Sequence, residues 1–364
     1  MSTTKVLVVD DSALMRRFLS EILDRDPALH VVATANDPII AREKIRRLNP
    51  DVLTLDVEMP RMDGLTFLKN LMRLRPMPVV MVSSLTAAGA DVTLKALEIG
   101  AVDFVTKPKI LSSAELAAQA EIIVSKVKAA AHARLLTSDL DSPPPPPPSS
   151  RIDDARAYAI RTDTQVLAIG ASTGGTEAIK DVLLRVGPSA PIIVVVQHIP
   201  PMFSASFARR LDALCAISVA EAKDGTVLEP GHAYVAPGDA HLTVERSGRK
   251  FIGKLSYEPA VNRHRPSVDV LFTSVARAAG RHSLGILLTG MGSDGAQGLL
   301  KMKNAGAATI AQDEASSVVW GMPKEAGKLG AAREVLSLPH ISARLGAAYA
   351  IEVDGHSMVS NVHR

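Results

Sequence analysis

Residues 141–150 read DSPPPPPPSS. Six consecutive prolines fix φ at every step and supply no backbone N–H, so neither a helix nor an inner strand passes through this run. It predicts an extended polyproline II spacer rising about 3 Å per residue. Proline-rich runs also serve as ligands for other modules, but a position between two globular patterns favours a linker. The 364-residue length agrees, because single domains usually span roughly 100–200 residues. The expected division is a first domain over 1–125, a helix end and linker over 126–163, a second domain over 164–352 and a tail over 353–364.

Short apolar runs alternate with amphipathic stretches on both sides of the linker. In the first domain the runs are 5–9, 31–35, 52–55, 79–82 and 104–106. Such alternation predicts βα units and an α/β fold with a parallel sheet covered on both faces. The first domain is expected to be a flavodoxin-like (βα)5 unit with the strand order 2-1-3-4-5. Its closing helix is expected over 112–136, opened by a capping-box pattern from Ser112 to Glu115. The second domain repeats the style with 166–169, 192–196, 284–288 and 308–311, which predicts a doubly wound, mainly parallel sheet. The Gly- and Pro-rich segment 224–253 interrupts it and reads as a β-hairpin insertion.

Composition narrows the function classes. With 3% aromatic residues and a net charge of +3, the chain lacks the surface of a nucleic-acid binder, and no helix-turn-helix is evident after the linker. The start, MSTTKVLVVDDS, breaks a short apolar run with two aspartates, so it reads as neither a signal peptide nor a membrane anchor. The single cysteine, Cys215, rules out an intrachain disulfide and fits a reducing compartment. A cytoplasmic protein without membrane insertion is expected.

The ends of the first domain's strands carry its chemistry. Asp10 and Asp11 follow the first strand, and Asp56 ends the third, in VLTLDVEMPRMDG. In the 2-1-3-4-5 order those two ends meet at the topological switch point. Three crowded carboxylates repel one another, and a hard cation such as Mg²⁺ relieves this by taking their oxygens as ligands. Ser83 ends the fourth strand and Lys107 follows the fifth, which completes a phosphoryl-transfer pocket with Asp56 as the nucleophile. Any one of these aspartates could simply cap a helix; five coordinated positions argue against that. The segments DDS, LDVEMPRMDG, VSS and TKP resemble the receiver domain of bacterial response regulators. That resemblance implies metal ligands Asp10, Asp11 and Asp56, the phosphoacceptor Asp56, and the switch residues Ser83, Phe104 and Lys107, with a histidine kinase as phosphodonor.

The second domain opens with VLAIGASTGGTEAIK. A glycine-rich strand-to-helix turn either cradles a phosphate or projects a nucleophile. The spacing from Gly170 to Gly175 lacks the dinucleotide fingerprint G-x-G-x-x-G but satisfies G-x-S-x-G, with Ser172 at its tip. His198 follows the strand 192–196, and Asp294 sits in TGMGSDGAQG after the strand 284–288. All three leave one sheet at its carboxyl edge, where His198 would take the Ser172 proton and Asp294 would orient the ring. A lone histidine after a strand is more often structural, and an aspartate among glycines is more often a turn residue; their joint placement favours a triad. His232, His241 and His264 lie in polar, loop-like stretches where exposure is expected. The histidine spacing offers no metalloprotease site.

The order Ser172, His198, Asp294 differs from that of the α/β-hydrolases. Together with the receiver, the segments IGASTGG, QHIPP, YVAPGDAHL, NRHRPSVD and LLTGMGSDGA resemble the chemotaxis protein-glutamate methylesterase family, CheB. The resemblance implies hydrolysis of glutamate γ-methyl esters on methyl-accepting chemotaxis receptors and deamidation of selected receptor glutamines, with no cofactor for the ester reaction. It also implies Ser172 as nucleophile, His198 as base, Asp294 as orienting acid and the Met291 backbone N–H as an oxyanion donor. Arg263 and Arg265 are candidates for docking acidic receptor helices. The unphosphorylated receiver is expected to pack over the triad rim, with Phe104 turning inward on phosphorylation. The leading rival is a response regulator whose second domain only binds a partner; a nucleotide-binding domain is weaker for want of the fingerprint.

Overall fold

The computed structural model describes residues 3–59, 62–84, 86–107, 113–135, 160–161 and 163–349. The proline run, the capping-box residue Ser112 and the tail lie outside them. None of the described helices is long and apolar enough to cross a membrane.

The first domain is a five-stranded, all-parallel sheet in the order β2-β1-β3-β4-β5. Its strands are β1 (Thr4–Val9), β2 (Leu29–Ala35), β3 (Val52–Asp56), β4 (Val79–Ser83) and β5 (Asp103–Thr106). Every residue of β3 and β4 is buried, as expected of inner strands covered on both faces. The helices α1 (Ala13–Asp24), α2 (Pro38–Leu48), α3 (Gly64–Leu74) and α4 (Ala87–Ile99) follow in alternation. The side chains of Ser12, Asp37, Asp63 and Thr86 accept first-turn amides at their N-termini. The cap of α1 is therefore Ser12, which removes the plain capping explanation for Asp10 and Asp11.

The closing helix α5 spans Ser113–Ala131, shorter than the expected 112–136. Its last turn tightens through His132 N–H to Ala129 O and Ala133 N–H to Ala130 O, and Arg134 N–H then donates to Val318 O of the second domain. Alanine-rich propensity would carry the helix further; a tertiary hydrogen bond stops it.

The second domain centres on a seven-stranded parallel sheet in the order β15-β14-β13-β6-β7-β10-β8. Its strands are β6 (Val166–Ala171), β7 (Ile192–Gln197), β8 (Ser218–Glu221), β10 (His232–Val235), β13 (Ser283–Leu287), β14 (Ala308–Gln312) and β15 (Glu334–Leu336). The strands β9 (Thr226–Leu228), β11 (His241–Ser247) and β12 (Lys250–Ser256) form a separate antiparallel sheet. The insertion is thus only partly hairpin. Residues 232–235 add to the main sheet between β7 and β8, and flanking Gly231 and Pro237 had masked an inner strand. The helices α6 (Gly175–Leu183), α7 (Pro201–Leu214), α8 (Val268–Ala278), α9 (Ala296–Asn304), α10 (Met322–Lys328) and α11 (Leu338–Ala348) complete the domain.

The chain leaves β6 in one direction to β7 and later returns on its other side as β13, so β6 marks the topological switch point where α/β sheets place their sites. The two domains meet there. Helix α4 packs on α7, Phe104 meets Phe203 with ring centroids 4.4 Å apart, and both phenylalanines belong to one continuous apolar cluster.

Candidate active site

Strand register brings the second domain's three residues to one edge. Ala171 of β6 pairs with Gln197 of β7, so the next residues, Ser172 and His198, emerge side by side. His198 N–H donates to Ala171 O at 3.1 Å. On the other flank Gly170 pairs with Leu287 of β13, and Asp294 lies in the loop that follows. The turn at Ser172 is tightly held: Ser172 N–H donates to Thr289 O at 3.0 Å, and its carbonyl accepts from Gly175 N–H and Gln197 Nε2, each at 2.8 Å. Two glycines make room for it. Gly174 has φ +75°, and a Cβ on Gly290 would come within 2.7 Å of the Ser172 Cβ.

Asp294 is 1% exposed and fully engaged. It accepts from His198 Nε2 at 2.8 Å, Asn262 Nδ2 at 2.9 Å, Ser267 Oγ at 2.7 Å, and the backbone N–H groups of Val268 at 2.7 Å and Asp269 at 3.3 Å. Burial alone would raise its pKa, but the donors, His198 first, hold the carboxyl well below its ordinary value. An ionised carboxylate only accepts, so His198 Nε2 is the donor in this contact. His198 Nδ1 is buried without a hydrogen-bond partner, and Ser172 Oγ makes no hydrogen bond among the described residues. The two groups are therefore not hydrogen-bonded to each other in this structure. The Met291 backbone N–H donates no hydrogen bond among the described residues either, and its residue is 38% exposed.

The exposure expectation fails at all three histidines, His232 being partly buried at the start of β10. His241 is 1% exposed, hydrogen-bonded to Pro259 O at 3.2 Å and accepting Ser267 N–H at 3.1 Å. His264 is partly buried and stacks on His198 with centroids 3.7 Å apart. Only long-range packing makes both inward-facing. Asn262 and Ser267 were missed as well; the signal available was the density of polar donors in NRHRPSVD just before a helix. Cys215 is partly buried, and burial with Asp212 nearby pushes its thiol up to about 11, which suits a packing residue.

The first domain's pocket assembles as its spacing implied. Asp10, Asp11 and Asp56 each offer an oxygen within 4.8 Å of the others. Lys107 Nζ lies 2.8 Å from Asp56 Oδ2 and 3.4 Å from Asp10 Oδ2. Burial is the main cause that raises the Asp56 carboxyl to about 6, with Lys107 opposing and Asp10 reinforcing; burial raises Asp10 too. Asp10 Oδ2 is buried and, apart from the Lys107 ammonium at 3.4 Å, has no hydrogen-bond partner among the described residues. Hard oxygen donors, excess negative charge and an unsatisfied buried oxygen fit a divalent cation such as Mg²⁺.

The hydrogen bonds of the Ser83 side chain run to Ser84 and α4, not to the carboxylates of this pocket. Ser83 is fully buried, and its Oγ accepts from Thr93 Oγ1 of α4 at 2.7 Å. Phe104 is already inward, 3% exposed, with Lys126 Nζ 5.0 Å from its ring. The expected inward turn therefore has no outward starting point here, because Phe203 of the second domain supplies the apolar cover.

The receiver side reaches the edge that carries Ser172 directly. Asp103 of β5 accepts from Thr173 Oγ1, the residue after Ser172, at 2.5 Å, and is itself paired with Lys126 at 2.7 Å. Ser125 Oγ donates to Met291 Sδ at 3.3 Å. Glu121 of α5 lies 3.6 Å from Arg263, whereas Arg265 donates to the carbonyls of Tyr257 and Glu258. Glu98 of α4 pairs with Arg210 and with Lys180.

Comparison with known proteins agrees with both halves. Residues 6–120 match the response regulator receiver domain and residues 167–345 match the CheB methylesterase family model. The chain is 55% identical over 350 residues to a protein-glutamate methylesterase/protein-glutamine glutaminase of Paraburkholderia xenovorans, covering 95% of this chain and 97% of that one. It is 54% identical over 358 residues to the corresponding protein of Salmonella typhi, covering 97% and 100%, and 56% identical over 345 residues to one of Xanthomonas campestris, covering 94% and 96%. The chain belongs to the CheB methylesterase family, with a response regulator receiver domain ahead of the catalytic domain.

Proposed function

We propose that this chain hydrolyses glutamate γ-methyl esters on methyl-accepting chemotaxis receptors, and deamidates selected receptor glutamines, through Ser172, His198 and Asp294. The observation that carries the reading is the pairing of His198 Nε2 with Asp294, which leaves Nδ1 unpartnered beside the end of β6. In the reaction Ser172 Oγ attacks the ester carbonyl as its proton passes to His198 Nδ1. The ring becomes an imidazolium, which Asp294 stabilises. The Met291 N–H would donate to the oxyanion. Collapse returns the proton to the departing methoxide, releasing methanol, and water deprotonated by His198 then frees the glutamate. With a glutamine substrate the same proton goes to departing ammonia.

Control by the receiver follows from the same contacts. A histidine kinase would phosphorylate Asp56 in the cytoplasm, with Mg²⁺ held by Asp10, Asp11 and Asp56. The bound ion would neutralise charge on the phosphoryl group. Ser83, drawn toward that group, would give up Thr93 of α4, and α4 carries Glu98 to Arg210 and Lys180. Loss of those contacts would loosen α5 and β5 from the rim and open the edge to a receptor helix.

The test is methanol release from methylated chemoreceptor by full-length protein, with and without a small phosphodonor. Ser172→Ala should abolish release, by about 10³-fold or more. Asp56→Ala should remove stimulation by the phosphodonor while keeping the basal rate. Release that persists in Ser172→Ala would mean that Ser172 is not the nucleophile; no release from the wild type would leave the rival, a binding-only output domain.

A further inference from the structure

A turn outside the triad touches both its base and its acid. The ring of His264 lies face to face on that of His198, centroids 3.7 Å and planes 9° apart. Val261 and His264 close the turn with reciprocal hydrogen bonds of 3.1 and 2.9 Å. The two residues between them, Asn262 and Arg263, have φ of 52° and 68°, in the left-handed region that costs non-glycine residues energy. Asn262 directs its amide to Asp294 Oδ1 at 2.9 Å and to Asp269 Oδ2 at 2.7 Å.

One hydrogen bond, Nε2 to Asp294, fixes a point on the His198 ring but not its plane. The ring remains able to swing about that bond and redirect Nδ1. A parallel ring at 3.7 Å removes the swing. We propose that the Val261–His264 turn is a positioning device, in which His264 holds the plane of His198 toward Ser172 and Asn262 holds Asp294. The inference rests on the triad reading above.

The chemistry of the stack supports it. Face-to-face contact is the less favoured arrangement for two neutral rings, yet it is favourable when one ring is cationic. The contact therefore strengthens as His198 takes the proton, which is the differential binding that accelerates a step. His264 must stay neutral for this. Burial first, then the neighbouring His198 and, more weakly, Lys126 on α5, hold its pKa down to about 3, against the pull of Asp294.

The experiment uses phosphodonor-activated full-length protein with methylated chemoreceptor, measuring kcat and KM separately. His264→Ala should lower kcat by about 10- to 100-fold, with KM changed less than about twofold. His264→Phe, which keeps a flat uncharged ring, should recover to within about fivefold of wild type, and Asn262→Ala should lose about tenfold in kcat. A His264→Ala enzyme with wild-type kcat, or a loss carried by KM alone, overturns the proposal. So does His264→Phe no better than His264→Ala. If His264→Ala fails to fold, Asn262→Ala and His264→Phe carry the test, and an unaltered kcat in Asn262→Ala overturns it. Activity retained in Ser172→Ala would instead sink the triad itself; an inactive Ser172→Ala beside a fully active His264→Ala removes only the positioning role.

Discussion

Asp56 and Asp294 are each 1% exposed at the carboxyl edge of a parallel sheet, yet their carboxyls move in opposite directions. Asp56 receives Lys107 and one backbone N–H, from Glu58 at 3.2 Å, and faces the like charge of Asp10. Its carboxyl rises to about 6. Asp294 receives five donors and falls well below its ordinary value. Exposure is equal; the supply of donors differs. The first pocket is short of positive charge and suited to take up a cation and a phosphoryl group. The second is saturated and suited to hold an imidazole in one tautomer without itself taking the proton.

The largest expected effect tests the saturated site. Asp294→Asn keeps the shape but presents an amide to His198 and disturbs its tautomer, so kcat for methanol release should fall by about 10³- to 10⁴-fold with little change in KM. A drop of less than tenfold would mean that the five donors serve stability alone.

The next concerns the undersupplied site. A carboxyl raised from 3.8 to about 6 binds its proton more tightly folded than unfolded. Its favourable contribution is complete below pH 3.8 and lost as pH rises through about 6, so at pH 7.5 the ionised group costs stability. In metal-free buffer at pH 7.5, Asp56→Asn should stabilise the receiver by about 2 kcal/mol, seen as a melting transition about 5 °C higher. The gain should vanish toward pH 4, and Mg²⁺ should raise the wild-type transition more than that of the variant. Equal melting of both proteins across this range would show that Lys107 already balances the pocket.

The smallest effect joins the two regions. Asp103→Ala removes the acceptor of Thr173 and the partner of Lys126. Basal methanol release without phosphodonor should rise by about five- to tenfold, the scale of a modest coupling energy. An unchanged basal rate would mean that this contact does not restrain the Ser172 turn.

Much of this contrast was legible in the chain because parallel α/β sheets place chemistry at strand ends. The residues Asp10, Asp56, Ser83 and Lys107 end or follow short apolar runs, and so do Ser172 and His198. Such runs are read from local pattern alone. The same logic failed at residues 232–235, where Gly231 and Pro237 suggested a turn beside an inner strand. It failed again at His241 and His264, whose polar neighbours predict solvent.

The amino-acid order by itself determined which carboxylates, hydroxyl and imidazole stand at sheet edges, since hydrophobic periodicity and turn residues act over a few positions. Only the tertiary structure decided which of them are satisfied. The donors to Asp294, the ring on His198 and the receiver's Asp103 on Thr173 arrive from segments roughly 25 to 100 residues away. Their hydrogen bonds and stacking depend on packing distances of a few ångströms, which no local pattern encodes.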